Sequence, residues 1–301
     1  MIRNFAHGVL TALVIGTALD CAQGADLPSY KDAPPPALVD AYQPFQVRLK
    51  VGSVLPLDGT ATVFDAGSVY PIAGIPGAPF VGLMTGLSGG PGTVIPGAST
   101  SISWSVIPLL DVAYYFNRNW AIEAICCITP HHIQGVGLLA GADVGRTWVF
   151  PPSVTLQYHF TNFGAFQPYL GVGVNFTAYL GTRAGNNNWW LAFAPGSALA
   201  GLGGVNASFY NVSITPSWGV VGQTGFDYML SEHWGVNFDL KYVMMEPNAH
   251  ANVAAFAPAA PALGAIYVPV NAAVKVNPLI VSAGLTYRFG GDWGVPKLLP
   301  F

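Results

Sequence analysis

Charge is what this chain has least of. Only 8% of its 301 residues are Asp, Glu, Lys or Arg, against roughly 25% in a soluble domain, so most of its surface is not built to face water. The net charge of −3 offers no basic surface to a nucleic acid. Beyond the first 24 residues it also lacks an uninterrupted apolar run of about 20 residues, the length a spanning helix needs. Cysteine is scarce, and beyond that N-terminal stretch only Cys126 and Cys127 remain. Neighbours on a strand point to opposite faces, so they are expected as two small buried thiols, and a disulfide framework is excluded. What is abundant is apolar (52%) and aromatic (13%) side chains. A lipid-facing chain without spanning helices has one alternative, a closed β-barrel, because in lipid every backbone polar group must be satisfied internally.

The N-terminus suggests the compartment. Arg3, the apolar "GVLTALVIGTAL" and the small residues of "CAQG" read as a secretory signal over 1–24, cleaved near Gly24. Residues 25–44, "ADLPSYKDAPPPALVDAYQP", read as a Pro-rich periplasmic linker. Eight segments then show strand-like alternation: 45–57, 100–116, 120–130, 149–160, 166–180, 212–230, 233–246 and 274–290. Three connections are tight (117–119, 161–165, 231–232) and four are long (58–99, 131–148, 181–211, 247–273). This alternation of short and long predicts an all-β fold: an eight-stranded antiparallel transmembrane β-barrel over 45–290, with short periplasmic turns and long extracellular loops. That is the pattern of an outer-membrane barrel; a monomer is expected, with a C-terminal extension over 291–301.

Two phrases match in shape, "DVAYYFNRNWAIE" (111–123) and "DYMLSEHWGVN" (227–237): aromatics, a polar turn, then Trp. Tyr and Trp favour the membrane–water boundary. A periplasmic girdle of Tyr114, Phe116, Trp120, Tyr158, Phe160, Tyr228, Trp234, Tyr287 and Phe289 is therefore expected, with Tyr115, Phe166 and Tyr169 in the same clusters. Alternation assigns the faces. Trp234, Val236, Phe238, Leu240 and Tyr242 oppose Gly235, Asn237, Asp239 and Lys241; in the first strand Phe45, Val47, Leu49 and Val51 oppose Gln46, Arg48 and Lys50. The inward charges balance: Arg48, Lys50, Lys241 and Arg288 against Asp111, Glu123, Asp227 and Asp239. Eight strands enclose room for little more than side chains, and an unpaired buried charge costs several kcal/mol. An ion-pair network plugging the periplasmic half is expected, which argues against a wide aqueous pore.

The long connections are almost without charge, as in "NNNWWLAFAPGSALAGLGGVNASF". Large exposed apolar surface marks an interaction site, so Phe80, Leu83, Trp189, Trp190 and Phe193 are candidates for an apolar ligand mouth. The alternative is a low-complexity segment that binds nothing. Signals for chemistry are thin. His131 and His132 have no Cys or carboxylate at zinc-ligand spacing and read as polar rim residues; His159 reads as a lumen histidine beside a turn. The glycines of "GVGV" read as space for lumen side chains. No nucleophile signature, metal site or cofactor motif is present, so no enzyme is expected.

The phrases "RLKVGSVLPLDG", "YYFNRNWAIEAI", "PPSVTLQYHF", "FQPYLGVGVNFT", "GFDYMLSEHWGVNFDLKYVMME" and "VKVNPLIVSAGLTYRF" follow one another in the order of the outer membrane protein W (OmpW) family, which the chain resembles over about 45–290. The resemblance implies an eight-stranded barrel in the outer membrane of a Gram-negative bacterium, with a narrow hydrophobic channel for small apolar solutes, released sideways into the bilayer. Its implied partners are outer-membrane lipid, a small hydrophobic solute and the barrel-assembly machinery. The Ala/Gly/Pro-rich loops are longer than the family pattern, and the chain continues past "YRF", so Phe289 or Phe301 is the terminal aromatic for assembly. Two rival readings stand beside it. One is a structural or surface-interaction barrel without transport. The other resembles the outer-membrane lipid A palmitoyltransferase, and would need a His, a Ser and an acid converging at the rim, where only His131 and His132 are offered.

Overall fold

The computed structural model describes residues 42–67, 91–186, 188–197 and 200–291. The expected signal peptide, most of the linker, Phe80, Leu83 and Phe301 lie outside these residues. Sixteen strands are formed: β1 Phe45–Pro56, β2 Thr60–Asp65, β3 Ala98–Ile102, β4 Ser105–Tyr115, β5 Trp120–Cys126, β6 Thr129–Gly137, β7 Asp143–Phe150, β8 Ser153–His159, β9 Phe166–Ala184, β10 Trp189–Ala192, β11 Gly204–Ile214, β12 Ser217–Met229, β13 Trp234–Val243, β14 Asn248–Phe256, β15 Ala265–Lys275 and β16 Pro278–Phe289.

Eight of them close on themselves. The order is β1-β4-β5-β8-β9-β12-β13-β16, and β16 returns to pair with β1 from Phe45↔Phe289 to Pro56↔Pro278. Every neighbour is antiparallel, and the order closes on itself as a lipid-spanning sheet requires. This is the eight-stranded closure expected from the short and long connections. Alternation sets the faces: in β5, Trp120, Ile122, Ala124 and Cys126 are exposed while Ala121, Glu123 and Ile125 are buried.

Above the barrel the same strands continue as two further sheets, β3-β6-β7-β9 and β10-β11-β14-β15-β2. Their inner faces share one apolar core that includes Val63, Leu139, Val144, Leu191, Phe209, Val253 and Val268. β9 runs unbroken through both levels. The other strands are interrupted near the junction, several of them at proline: Pro151–Pro152, Pro216, Pro247 and Pro278. A proline cannot donate to the ladder, so each is a natural place for a strand to leave one sheet and join another. Asn277, at φ +38, makes a similar bend before Pro278.

Three expectations are corrected. The segments at 100–116, 120–130, 149–160, 212–230 and 274–290 are not single strands but are broken at the junction. The long connections contain strands β2, β3, β6, β7, β10, β11, β14 and β15. Cys127 is buried, but Cys126 is exposed on the outer face, because the alternation that buries one neighbour turns the other to lipid.

Candidate functional site

The lower lumen is filled with charge. Arg48 presents a fork to Asp227, with Nε to Oδ1 at 3.1 Å and Nη2 to Oδ2 at 2.8 Å, and its other amine donates to Glu123. Lys241 reaches Glu123 at 2.7 Å and Asp239 at 3.2 Å. Lys50 pairs with Asp111 and, at 2.9 Å, with Asp239. Arg288, half-buried near the periplasmic rim, donates to Asp227 at 3.2 Å. All eight sequence-predicted charges are thus brought into one connected cluster, four bases against four acids. Seven of them are almost wholly buried.

Sequence reasoning gave these charges too few companions. Gln223 donates to both Glu123 (3.1 Å) and Asp239 (3.0 Å) and accepts from Gln157 and Thr155. Gln46 donates to Asp227 and accepts from Arg288 and Tyr115. Asn237 donates to Asp227 at 2.9 Å, Tyr169 to Asp239 at 3.2 Å, and the His159 ring stands 3.0 Å from the Gln157 amide oxygen. Tyr115 and Tyr169 are therefore lumen residues and not girdle residues, a correction that strand parity explains: Tyr114 and Phe116 face out, so Tyr115 faces in. Gly225 makes space for Tyr169, whose hydroxyl would stand 2.6 Å from a Cβ there. These polar side chains take up many of the lone pairs and protons that ion pairing leaves over, while Asp111 Oδ1 and Asn237 Oδ1 stay without a hydrogen bond among the described residues.

Immediately above, the lining changes character. Val54, Ile107, Leu109, Ile125, Val221, Val243 and Ile280 form an apolar layer over the charges. On it rests an apolar chamber of about 100 Å³, walled by residues such as Val63, Val149, Phe209, Val270 and Ala272, the size order of an engineered apolar cavity of about 150 Å³ that stays dry and takes benzene. His131 is in the wall, and burial lowers the pKa of its imidazole below the ordinary value, so it lines the chamber as a neutral ring. Trp189, Leu191 and Phe193 pack above, with Trp189 stacked on Phe209 at 4.9 Å between ring centroids. Trp190, expected beside them, faces outward and is 52% exposed; adjacent strand residues cannot share a face.

The barrel wall is incomplete on one side. β4 pairs with β1 up to Val54↔Ser105, but with β5 only up to Leu110↔Cys126. The next hydrogen bond on that side is the Ser105 hydroxyl donating to the Pro130 carbonyl at 2.5 Å. Between these points sits Pro108, which has no N–H to give. The resulting cleft, about 510 Å³, is lined by outward Leu49, Leu110, Cys126, Ile128 and Leu180 and by inward Leu109 and Cys127. Cys127 also lines the chamber, so one residue borders both spaces.

Aromatics ring the periplasmic end. Tyr114–Phe116, Trp120–Tyr158, Tyr158–Phe160, Trp234–Tyr287 and Tyr287–Phe289 lie 4.7 to 5.9 Å apart between centroids. Tyr228 is exposed on the same side. At the other end of the band stand Trp104, Trp148 and Trp218, all exposed.

A closed antiparallel barrel with an apolar outer band between two aromatic rings is an outer-membrane barrel protein. The chain belongs to the OmpW family, whose model matches residues 96–289. It is 38% identical over 189 residues to an uncharacterised outer-membrane protein, y4mB, of Sinorhizobium fredii, covering 63% of this chain and 68% of that one. Outer membrane protein W of Vibrio cholerae is 27% identical over 185 residues, 60% of this chain and 72% of its own. Among solved structures, OprG of Pseudomonas aeruginosa superimposes with a TM-score of 0.54 at 24% identity, covering 83% of this chain and 97% of that one, a likeness of fold.

Proposed function

We propose that the protein takes small hydrophobic molecules from outside the cell into its apolar chamber and releases them sideways into the bilayer. The observation that carries this reading is the junction at Cys127, shared between the chamber and the cleft beside Pro108. An apolar solute has no path downward. Entering the lower lumen would place it among buried charges and break pairs whose disruption costs several kcal/mol. Sideways, it meets Leu109, Cys127 and apolar residues of the cleft such as Pro108, Ile128, Phe150 and the lipid-facing leucines. The roof of Trp189, Leu191 and Phe193 is apolar except for the buried indole N–H of Trp189, so a hydrophobic molecule crossing it disturbs few polar groups. Membership of the OmpW family agrees with this reading.

The test is binding of a hydrophobic fluorophore to the refolded barrel, wild type against Ala272→Phe, which fills the chamber from its wall. Saturable binding to the wild type that disappears in Ala272→Phe, with heat-modifiable electrophoretic migration retained, supports the reading. Absence of saturable binding to the wild type returns the protein to the class of structural barrels without transport.

A further inference from the structure

Cations are rare on this chain: eleven Lys and Arg in all. Four of them, Arg48, Lys50, Lys241 and Arg288, are committed to the lumen. Against that scarcity, one patch on the outer wall is out of proportion. The register of β7 and β9 sets Arg146 directly opposite Arg183, and that of β6 and β7 sets His132 directly opposite Arg146. Three adjacent strands thus carry a row of three nitrogen-rich side chains, all exposed. Like charges directly across a ladder destabilise it, so a bare Arg146–Arg183 pair is a cost that an anion between them would offset.

The row faces a cleft of about 650 Å³ whose walls include Trp104, Trp148, Ser103, Ser105 and Asn186. Among the described residues a single carboxylate lines it, Asp143, which engages His132 at 2.8 Å. Two guanidiniums against one carboxylate leave the cleft with a net positive charge.

Its height in the membrane names the partner. From Trp120 in the periplasmic ring to Pro130 the outward face rises ten residues, about 26 Å at roughly 3.4 Å per residue and a 40° tilt. That is the height of the apolar band, about 25 Å. Pro130 lies opposite Trp148, so Trp148 marks the outer boundary. Arg146 stands two residues above Trp148 on the same face, at headgroup level in the outer leaflet. A cationic cleft here meets lipid phosphate, with sugar able to stack on the two tryptophan rings.

We propose that this cleft binds the phosphorylated headgroup of an outer-leaflet glycolipid, with Arg146 and Arg183 as the phosphate ligands. Guanidinium forks are suited to this by their planar, bidentate donors.

The experiment uses the full chain in phosphatidylcholine nanodiscs, with native mass spectrometry to count bound lipid. The probes are bis-phosphorylated lipid A, its fully dephosphorylated counterpart and inorganic phosphate. Expected is retention of the phosphorylated lipid alone. Affinity falls about fivefold for each arginine removed, so roughly 25-fold in Arg146→Gln/Arg183→Gln. Lys275→Gln, an exposed cation outside the cleft, retains wild-type binding. Heat-modifiable migration confirms that each variant is folded. Equal retention of the dephosphorylated lipid, or unchanged binding in the double variant, overturns the proposal. Inorganic phosphate binding as tightly as lipid A overturns the lipid as its source and leaves a plain anion site.

Discussion

The two halves of this tube share the same chain segments and have opposite interiors. Below the junction β1 turns Gln46, Arg48 and Lys50 inward; above it, β2 turns Ala61 and Val63 inward, with Asp65 buried at its end. β5 carries Glu123 and then Ile125 toward the axis, and β13 carries Asp239 and Lys241 and then Val243. Outside, the gradient runs the other way, from an apolar band to the exposed Arg146 and Arg183. A barrel this narrow is filled by its own side chains, so the nature of those side chains decides what can enter. The charged half rejects apolar solutes because they cannot replace ion pairs. The apolar half disfavours ions because the few polar side chains in its wall, Thr100, Thr129 and His131 among them, cannot replace a hydration shell. The proposed path for an apolar solute is therefore sideways, through the wall where the two halves meet.

That contrast can be broken most forcefully from below. Glu123 ties Arg48 to Lys241, and Glu123→Ala leaves two buried cations short of a partner, an expected loss of roughly 3–5 kcal/mol in urea-driven unfolding from vesicles. In the upper half the same order of effect comes from packing: Trp189→Ala removes a buried ring stacked on Phe209 and is expected to cost about 3–5 kcal/mol, read in the same titration. The girdle is less sensitive, since Trp234→Ala gives up one half-exposed ring contact, worth roughly 0.5–1.5 kcal/mol beyond burial. Smallest is Trp190→Ala. Its side chain faces outward, and a change within about 0.5 kcal/mol is expected. A loss at Trp190 equal to that at Trp189 would contradict the assignment of faces in β10.

The lower half was the more legible in sequence, for a physical reason. One face there meets lipid and the other meets charge, so hydrophobicity alternates with period two and the register of Arg48, Lys50, Asp239 and Lys241 can be counted off. Parity within that pattern could also have placed Tyr115 and Tyr169 in the lumen, and Cys126 outside it, had composition not been allowed to outweigh position. In the upper half the signal fades. β14, "NAHANVAAF", puts Val253 and Ala255 inside and Ala254 and Phe256 outside, and residues this alike on both faces leave no alternation to read. The interruptions at Pro151–Pro152, Pro216 and Pro278 were visible as letters. What they divide was not, because a proline signals the end of a ladder and not the sheet that the chain joins next. The cleft beside Pro108 depends on which strands are neighbours, and only the closed topology supplies that.

The most direct test of the central claim closes that cleft. Leu109 follows the last β4–β5 pair, Leu110↔Cys126, and lines the cleft together with Cys127. Leu109→Cys, in a chain with Cys126→Ser, offers Cys127 a cross-strand partner, and mass spectrometry verifies the bond. In vesicles, the rate at which a hydrophobic fluorophore passes from the external solution into the bilayer is compared with the pair oxidised and reduced. Lateral release requires transfer to stop on oxidation and return on reduction, with fluorophore binding intact in both states. Equal transfer rates in the two states would contradict it.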